Sequence, residues 1–231
     1  MRTTRRLAAL ATAAALGVTL GLAATAQPVK AATPSCGFSC VELINRYVGF
    51  QFDSDVTGAP AAGAVMQHAK VIFWARSNAD RGQDFFPDFQ GTVHDFFLAG
   101  LVSGAFDLHF HADPAFEIQY SPDGDGTGLC VGTWPGTPLA GFKLRLEPCG
   151  VGPWTVWAFH RFPGSPFPWF SLLDAAGTNF SNPLVLTYPA GAFPTDFPRP
   201  WPVVDNLHRF ALFPFPVIDR QLFRLRVGIN P

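Results

Sequence analysis

Apolar and polar residues alternate along this chain in short runs, each broken by a polar or Gly/Pro turn. The stretch "KVIFWA" (70–75) reads as a strand, "RSNADRG" as the turn after it, and Gln83-Asp84-Phe85 follows at once. The same order recurs at 129–157, where "LCVG" opens, "FKLRLEPC" carries the alternation, and Thr155-Val156-Trp157 closes. A third unit opens at "FSLLDAAGTNFSNPLVLTYP" (170–189) and reaches Gln221-Leu222-Phe223 only after a Pro/Phe-rich stretch. Three times a first strand, an alternating second strand and an x-x-aromatic triplet appear in that order. Such self-similarity marks a repeat architecture, and the many short strands between Gly and Pro turns make the fold class all-β.

This arrangement resembles the ricin B-type β-trefoil family, whose three repeats each end in Gln-x-Trp. The likeness is strongest over "LCV…LRLEPC…TVW" in the second unit, and "WARSNADRGQDF" carries it in the first. It implies a single β-trefoil over 36–231, with repeats at about 36–85, 115–159 and 170–225 and two large insertions, 86–114 and 190–219. In a three-fold barrel each unit sends one large ring into a shared core, so Phe85, Trp157 and Phe223 are expected there. The glutamine two positions earlier lies on the same side of a strand and can bond the turn's backbone. Thr155 stands in its place in the second unit. The Arg-over-Lys bias and the abundance of Ala, Gly and Pro also resemble secreted actinobacterial proteins, which assigns no function.

The resemblance further implies sugar sites made of an acid, an aromatic platform, an Asn and the triplet's Gln. The first unit offers Glu42, Trp74, Gly82 and Gln83, keeping platform and amide. The second offers Gly132, Glu147, Trp154 and Thr155, which lacks all four chemistries. The third offers Asp174, Tyr188, Arg220 and Gln221. The expected carbohydrate-binding residues are therefore Glu42, Trp74 and Gln83 together with Asp174, Tyr188 and Gln221. The ligand class is an extracellular glycan. The alternative is a secreted interaction or envelope protein that keeps the trefoil as a scaffold only.

The chain's beginning bears on where this happens. Arg2, Arg5 and Arg6 precede "LAALATAAALGVTLGLAATA", which ends in Ala24-Thr25-Ala26. A basic head, an apolar middle and an A-x-A end describe a secretory signal peptide over 1–26, so export and a mature chain without a membrane span are expected. The competing reading is an anchor, since a run of about 20 apolar residues just spans a bilayer. Removing those three arginines leaves 16 − 3 = 13 basic residues against 17 acidic ones. A net charge of about −4 excludes the overall basic character of a nucleic-acid binder. Cys36, Cys40, Cys130 and Cys149 form an even set, for which disulfides are the default in an exported chain. Spacing favours Cys36–Cys40 and Cys130–Cys149 without proving connectivity. The resembled family joins the strands of a repeat by a bridge at the second spacing. Zinc is the rival, weakened by the lack of a C-x2-C pair.

Other chemistry is sparse. No G-x-S-x-G, H-E-x-x-H or phosphate loop is present, so no enzyme and no cofactor are expected. "DLHFHAD" sets Asp107, His109, His111 and Asp113 at spacing two, which a strand would place on one face, as a metal or acid–base cluster requires. With no further ligand visible, a solvated strand face is favoured and no metal is assigned. "DGDGTG" (123–128) imitates a calcium loop, but Trp134 occupies the position of the bidentate Glu, and a hairpin turn is favoured. "TVHDFFLAGLVSG" has the apolar spacing of a short helix. The Pro-rich 190–219 reads as a wrap around the barrel or an aromatic surface, not a central strand.

Overall fold

The structure of the protein, a computed structural model, describes residues 41–47, 51–54, 67–74, 85–121, 126–190, 201–208 and 217–227. Cys36, Cys40, Gln83 and the expected signal peptide lie outside that set. Strands form where the apolar alternation predicts them. The first unit holds β1 (Val41–Asn45), β2 (Gln51–Ser54), β3 (Val71–Trp74) and β4 (Phe85–Thr92). The second holds β5 (Pro114–Tyr120), β6 (Leu129–Gly132), β7 (Arg145–Pro148) and β8 (Val156–His160). The third holds β9 (Ser171–Asp174), β10 (Leu184–Thr187), β11 (Val203–Asn206) and β12 (Phe223–Val227).

Pairing repeats from unit to unit. In each unit the first strand pairs the second and the second pairs the third, all antiparallel. The fourth strand of each unit pairs the first of the next, as β4–β5, β8–β9 and β12–β1. Barrel closure comes from β5–β8 and from the bridge Phe170↔Phe223. Third strands meet through the bridges Lys70↔Arg145 and Lys143↔Val203, so the three hairpins gather into a cap at one end. Four strands repeated three times, with a six-stranded barrel and a hairpin cap, make a β-trefoil.

Phe85, Trp157 and Phe223, the aromatic members of the three triplets, lie in one buried core cluster with Phe116, Tyr120 and Tyr188. Burying three such rings in a common centre removes on the order of 150–250 Å² of each from water. The indole N–H of Trp157 donates to the carbonyl of Val131 at 2.8 Å, so the largest of them carries no unsatisfied polar atom into the core.

The insertions differ from their expected form. The stretch "TVHDFFLAGLVSG" begins not one helix but two, α1 (Val93–Leu98) and α2 (Gly104–Phe110). Thr92 and Asp95 form a capping box at the first, and the Ser103 hydroxyl caps the second. The apolar faces, Phe96, Phe106 and Phe110, pack on Ala115, Val156 and Ala158 of the barrel. Consequently the expected strand over "DLHFHAD" is overturned: Phe106 and Phe110 follow the helical spacing of four. In the second insertion Val203–Asn206 is a trefoil strand, pairing β10 at a sheet edge. Pro202 sits immediately before it, where its missing N–H costs the ladder nothing. The Cys130–Cys149 disulfide is present and links β6 to the end of β7, with 5.1 Å between the Cα atoms.

Candidate functional site

The hairpin cap gathers two indoles and three cations. Gly141, at φ +89°, turns the chain so that its N–H reaches the carbonyl of Val204 at 2.7 Å, and this anchors the segment leading to Lys143 and Arg145. Trp201, just before β11, is fixed by an indole N–H···O bond to Leu144 at 2.5 Å. Lys143 Nζ, Lys70 Nζ and the Arg145 guanidinium lie 4.5, 5.0 and 5.5 Å from the centre of that ring. Arg145 is also 5.1 Å from the ring of Trp134, which is 48% exposed. Each unit contributes at least one of these groups, and only the cap bridges bring them together.

A further contact completes the surface. His68 adopts φ +70°, a left-handed conformation that a β-carbon disfavours, and its ring lies 4.6 Å from Trp134. Its Nδ1 is held 2.8 Å from the buried Glu147 carboxylate, which also accepts from the Gln67 amide. Glu147 thus fixes the orientation of the imidazole beside Trp134. Among the described residues no acidic side chain pairs with Lys143 or Arg145. Trp134, Gly141, Phe142, Lys143 and Arg145 line a surface depression of about 300 Å³. Cations over indole faces are attracted by the ring quadrupole, and a flat apolar ring beside them offers stacking area. The arrangement suits a ligand with an apolar face and negative charge.

The sugar residues expected of the third unit lie elsewhere. Asp174, Tyr188 and Gln221 are all buried, at 1%, 0% and 0% exposure. Gln221 Oε1 accepts the N–H of His208 at 2.7 Å, while its amide nitrogen donates to Asn206 O and Thr187 Oγ1 at 2.8 and 3.0 Å. Every polar atom of that side chain is committed to the fold. Asp174 Oδ1 accepts the Ala176 N–H at 2.9 Å. Burial pushes the Asp174 carboxyl up to about 7, against the opposing pull of the Ala176 N–H and the Thr133 hydroxyl. Tyr188 sits in the core and presents no face on which a sugar ring could stack. The expected sugar site on this set is therefore corrected: these three residues are structural.

In the second unit the absence of a site has a steric cause. A β-carbon on Gly132 would meet the Trp154 carbonyl oxygen at 2.5 Å and Thr155 Cγ2 at 2.8 Å. The triplet's turn, a 3-10 segment over Pro153–Thr155, packs directly on β6 at Gly132. In the first unit Glu42 and Trp74 lie on β1 and β3, opposite Arg226 and Gln51 respectively. Their side chains, like Gln83, lie outside the described residues.

The "DLHFHAD" residues do not share a face. His109 bonds the Ala105 carbonyl and stacks on Phe180 with centroids 4.7 Å apart. Asp113 takes His160 at 2.6 Å. Asp107 and His111 remain together through helical spacing, and His94 of α1 joins them. Sequence reasoning missed His94 because it lies one helix upstream. The cap cations were missed for a similar reason: no local motif joins Lys70 to Arg145. Among the described residues a second group, Asp88, Cys130 and Cys149, also gathers potential ligand atoms, but both sulfurs are held in the disulfide.

No family model and no curated protein matches the chain. Solved structures share its fold at low identity. A designed three-fold symmetric protein, ThreeFoil, is 12% identical at a TM-score of 0.50, over 83% of this chain and 99% of that one. A mosquitocidal holotoxin is 11% identical with a TM-score of 0.50, over 83% of this chain but 17% of the toxin. The exo-β-1,3-galactanase 1,3Gal43A of Clostridium thermocellum is 11% identical, also at 0.50, over 83% of this chain and 30% of the enzyme. The chain thus spans less than a third of the latter two proteins. These likenesses establish the β-trefoil and nothing finer.

Proposed function

We propose that the protein is an exported, non-catalytic binding module for an anionic carbohydrate, held at the hairpin cap by Trp134, Trp201, Lys70, Lys143 and Arg145. The observation that carries this reading is the placement of three cations within 5.5 Å of one indole, beside a second indole that is half exposed. Lys143 and Arg145 have no acidic partner among the described residues, and an anionic ligand supplies one. The Trp134 ring stacks on the apolar face of a sugar, while Lys143 and Arg145 pair with its carboxylate or sulfate groups. The galactanase among the fold neighbours has a similar trefoil within a carbohydrate-active chain, which supports a carbohydrate ligand. Among the described residues no helix is long and apolar enough to cross a membrane.

The test is retention of the full chain on immobilised polygalacturonate and dextran sulfate, with neutral dextran as control. Binding to the charged polymers that weakens as salt rises beyond about 0.15 M is expected, because partly exposed charges are screened at that ionic strength. Trp134→Ala and Arg145→Ala should each weaken it about tenfold, roughly the loss of one cation–π or charge-assisted contact. Retention on neither charged polymer would favour the scaffold alternative. Retention abolished by Trp74→Ala but not by Trp134→Ala would return the site to the first unit.

A further inference from the structure

His94, Asp107 and His111 come from both helices of the first insertion, and their ligand atoms all lie within 4.8 Å of one another. We propose that these three side chains form a binding site for a divalent transition metal, zinc by its chemistry, which clips α1 to the end of α2.

Both imidazoles turn the same nitrogen toward one carboxylate. His94 Nδ1 lies 3.3 and 3.2 Å from Asp107 Oδ1 and Oδ2, and His111 Nδ1 lies 3.3 Å from Oδ1. Two other histidine–carboxylate pairs in the protein are shorter, 2.6 Å for His160–Asp113 and 2.8 Å for His68–Glu147, while the exposed His208–Asp205 pair is also 3.3 Å long. Charge-assisted N–H···O bonds are usually about 2.7–2.9 Å long. Ligands held about 2.0–2.2 Å from a tetrahedral ion are instead separated from one another by roughly 3.3–3.5 Å. The spacing in the cluster matches that of ligands around an ion, and, unlike the lone His208–Asp205 pair, the cluster brings two imidazoles to one carboxylate.

The donor set fits a particular class of ion. Two imidazoles and one carboxylate suit zinc and its first-row neighbours rather than calcium or magnesium, which take oxygen ligands. Three protein ligands leave at least one coordination position, and the half-exposed His94 and exposed His111 leave it facing solvent. The scaffold is prepared on its inner side. Phe96, Phe106 and Phe110 fix both helices to the barrel, and the His94 N–H donates to the His111 carbonyl at 3.3 Å. Helices of six and seven residues are marginal by themselves, so a clip between them adds order where local propensity supplies little. Asp107 lies on α2 and His111 is its C-cap residue, four positions on, so one ion staples the C-terminal turn of the second helix.

The experiment is calorimetric titration of zinc chloride into the EDTA-stripped full-length protein, followed by cobalt(II) absorption to report the coordination. One ion per chain is expected, with a visible cobalt spectrum that zinc displaces. His111→Ala, on the solvent side, should weaken binding on the order of a hundredfold, since even loss of a supporting outer group costs about 10–100-fold. Asp107→Asn should do the same, and His109→Ala should leave binding unchanged. Circular dichroism of each variant separates loss of the site from loss of the fold. Absence of stoichiometric binding in the unsubstituted protein would overturn the site. So would affinity that persists in the folded His111→Ala and Asp107→Asn proteins.

Discussion

Glu117 in the second repeat occupies the role that Gln221 holds in the third. Gln221 Oε1 accepts the N–H of His208, two residues beyond the end of β11. The Glu117 carboxylate accepts the N–H of Gly150, two residues beyond the end of β7, at 2.9 Å from each oxygen. Thr155, which replaces glutamine in the second triplet, donates its hydroxyl to that same carboxylate. A shorter side chain in the triplet is thus completed by a longer one from β5, and the third hairpin strand is tied down in both repeats. Glu117→Ala should destabilise the protein by about 1–3 kcal/mol, because the Gly150 N–H and the buried Thr155 hydroxyl lose their shared acceptor, the hydroxyl keeping only a longer contact to the Gly152 carbonyl. Urea denaturation measures this. Adding Thr155→Gln should recover part of the loss, and failure to recover any would show that the two clamps are not equivalent.

The second hairpin has a covalent tie as well. Cys130 and Cys149 are 19 residues apart, and a bridge closing a loop of that size stabilises by about 3 kcal/mol through the unfolded chain. The Cys130→Ser/Cys149→Ser protein should show a fall in unfolding free energy of that order. The effect should be absent when the two proteins are compared under reducing conditions. A peptide map under non-reducing conditions should recover the linked fragments.

Gly132→Ala probes the closed second site. A methyl group there would sit 2.5 Å from the Trp154 carbonyl oxygen, which is backbone and cannot swing aside. The Thr133 N–H also donates to that oxygen at 2.9 Å, so the turn is held where it is. Overpacking of this kind costs about 1–3 kcal/mol. A thermal melt of Gly132→Ala unchanged from the parent would mean that the turn moves more freely than these contacts allow.

The barrel was legible in the sequence because its demand repeats. One large ring per unit at the start of the fourth strand is visible as Phe85, Trp157 and Phe223 without any knowledge of their contacts. The helical insertion was half legible. Apolar spacing marks a short helix over "TVHDFFLAGLVSG", but the spacing-two polar residues of "DLHFHAD" fit a strand equally well, and the caps at Thr92 and Ser103 that decide for helix show only in their contacts. The sugar set on Asp174, Tyr188 and Gln221 failed for a different reason. Side-chain chemistry suited to a ligand is also suited to satisfying a buried turn, and only burial distinguishes the two. The cap surface left no local trace. Lys70, Lys143, Arg145 and Trp201 come from three repeats and meet only through hairpin register.

Asp174 sets a pH dependence that runs opposite to ordinary acid denaturation. Its carboxyl is raised by burial from 3.8 to about 7 in the folded protein, whereas the unfolded chain keeps the lower value. Below about pH 3.8 both states hold the proton and the group costs nothing. Between that point and about pH 7 the unfolded state releases the proton while the folded state keeps it, so stability falls as pH rises. A shift of about 3 units corresponds to something on the order of 4 kcal/mol across the window. Burial likewise raises Glu117, so it contributes in the same direction. Asp174→Asn keeps the oxygen that receives the Ala176 N–H and removes the ionisable group. The substituted protein should match the parent near pH 4, exceed it in stability at pH 8, and show a flatter profile between, as read by urea melts at each pH. A profile of unchanged slope in Asp174→Asn would mean that another group carries the dependence and that this carboxyl stays solvated enough to ionise.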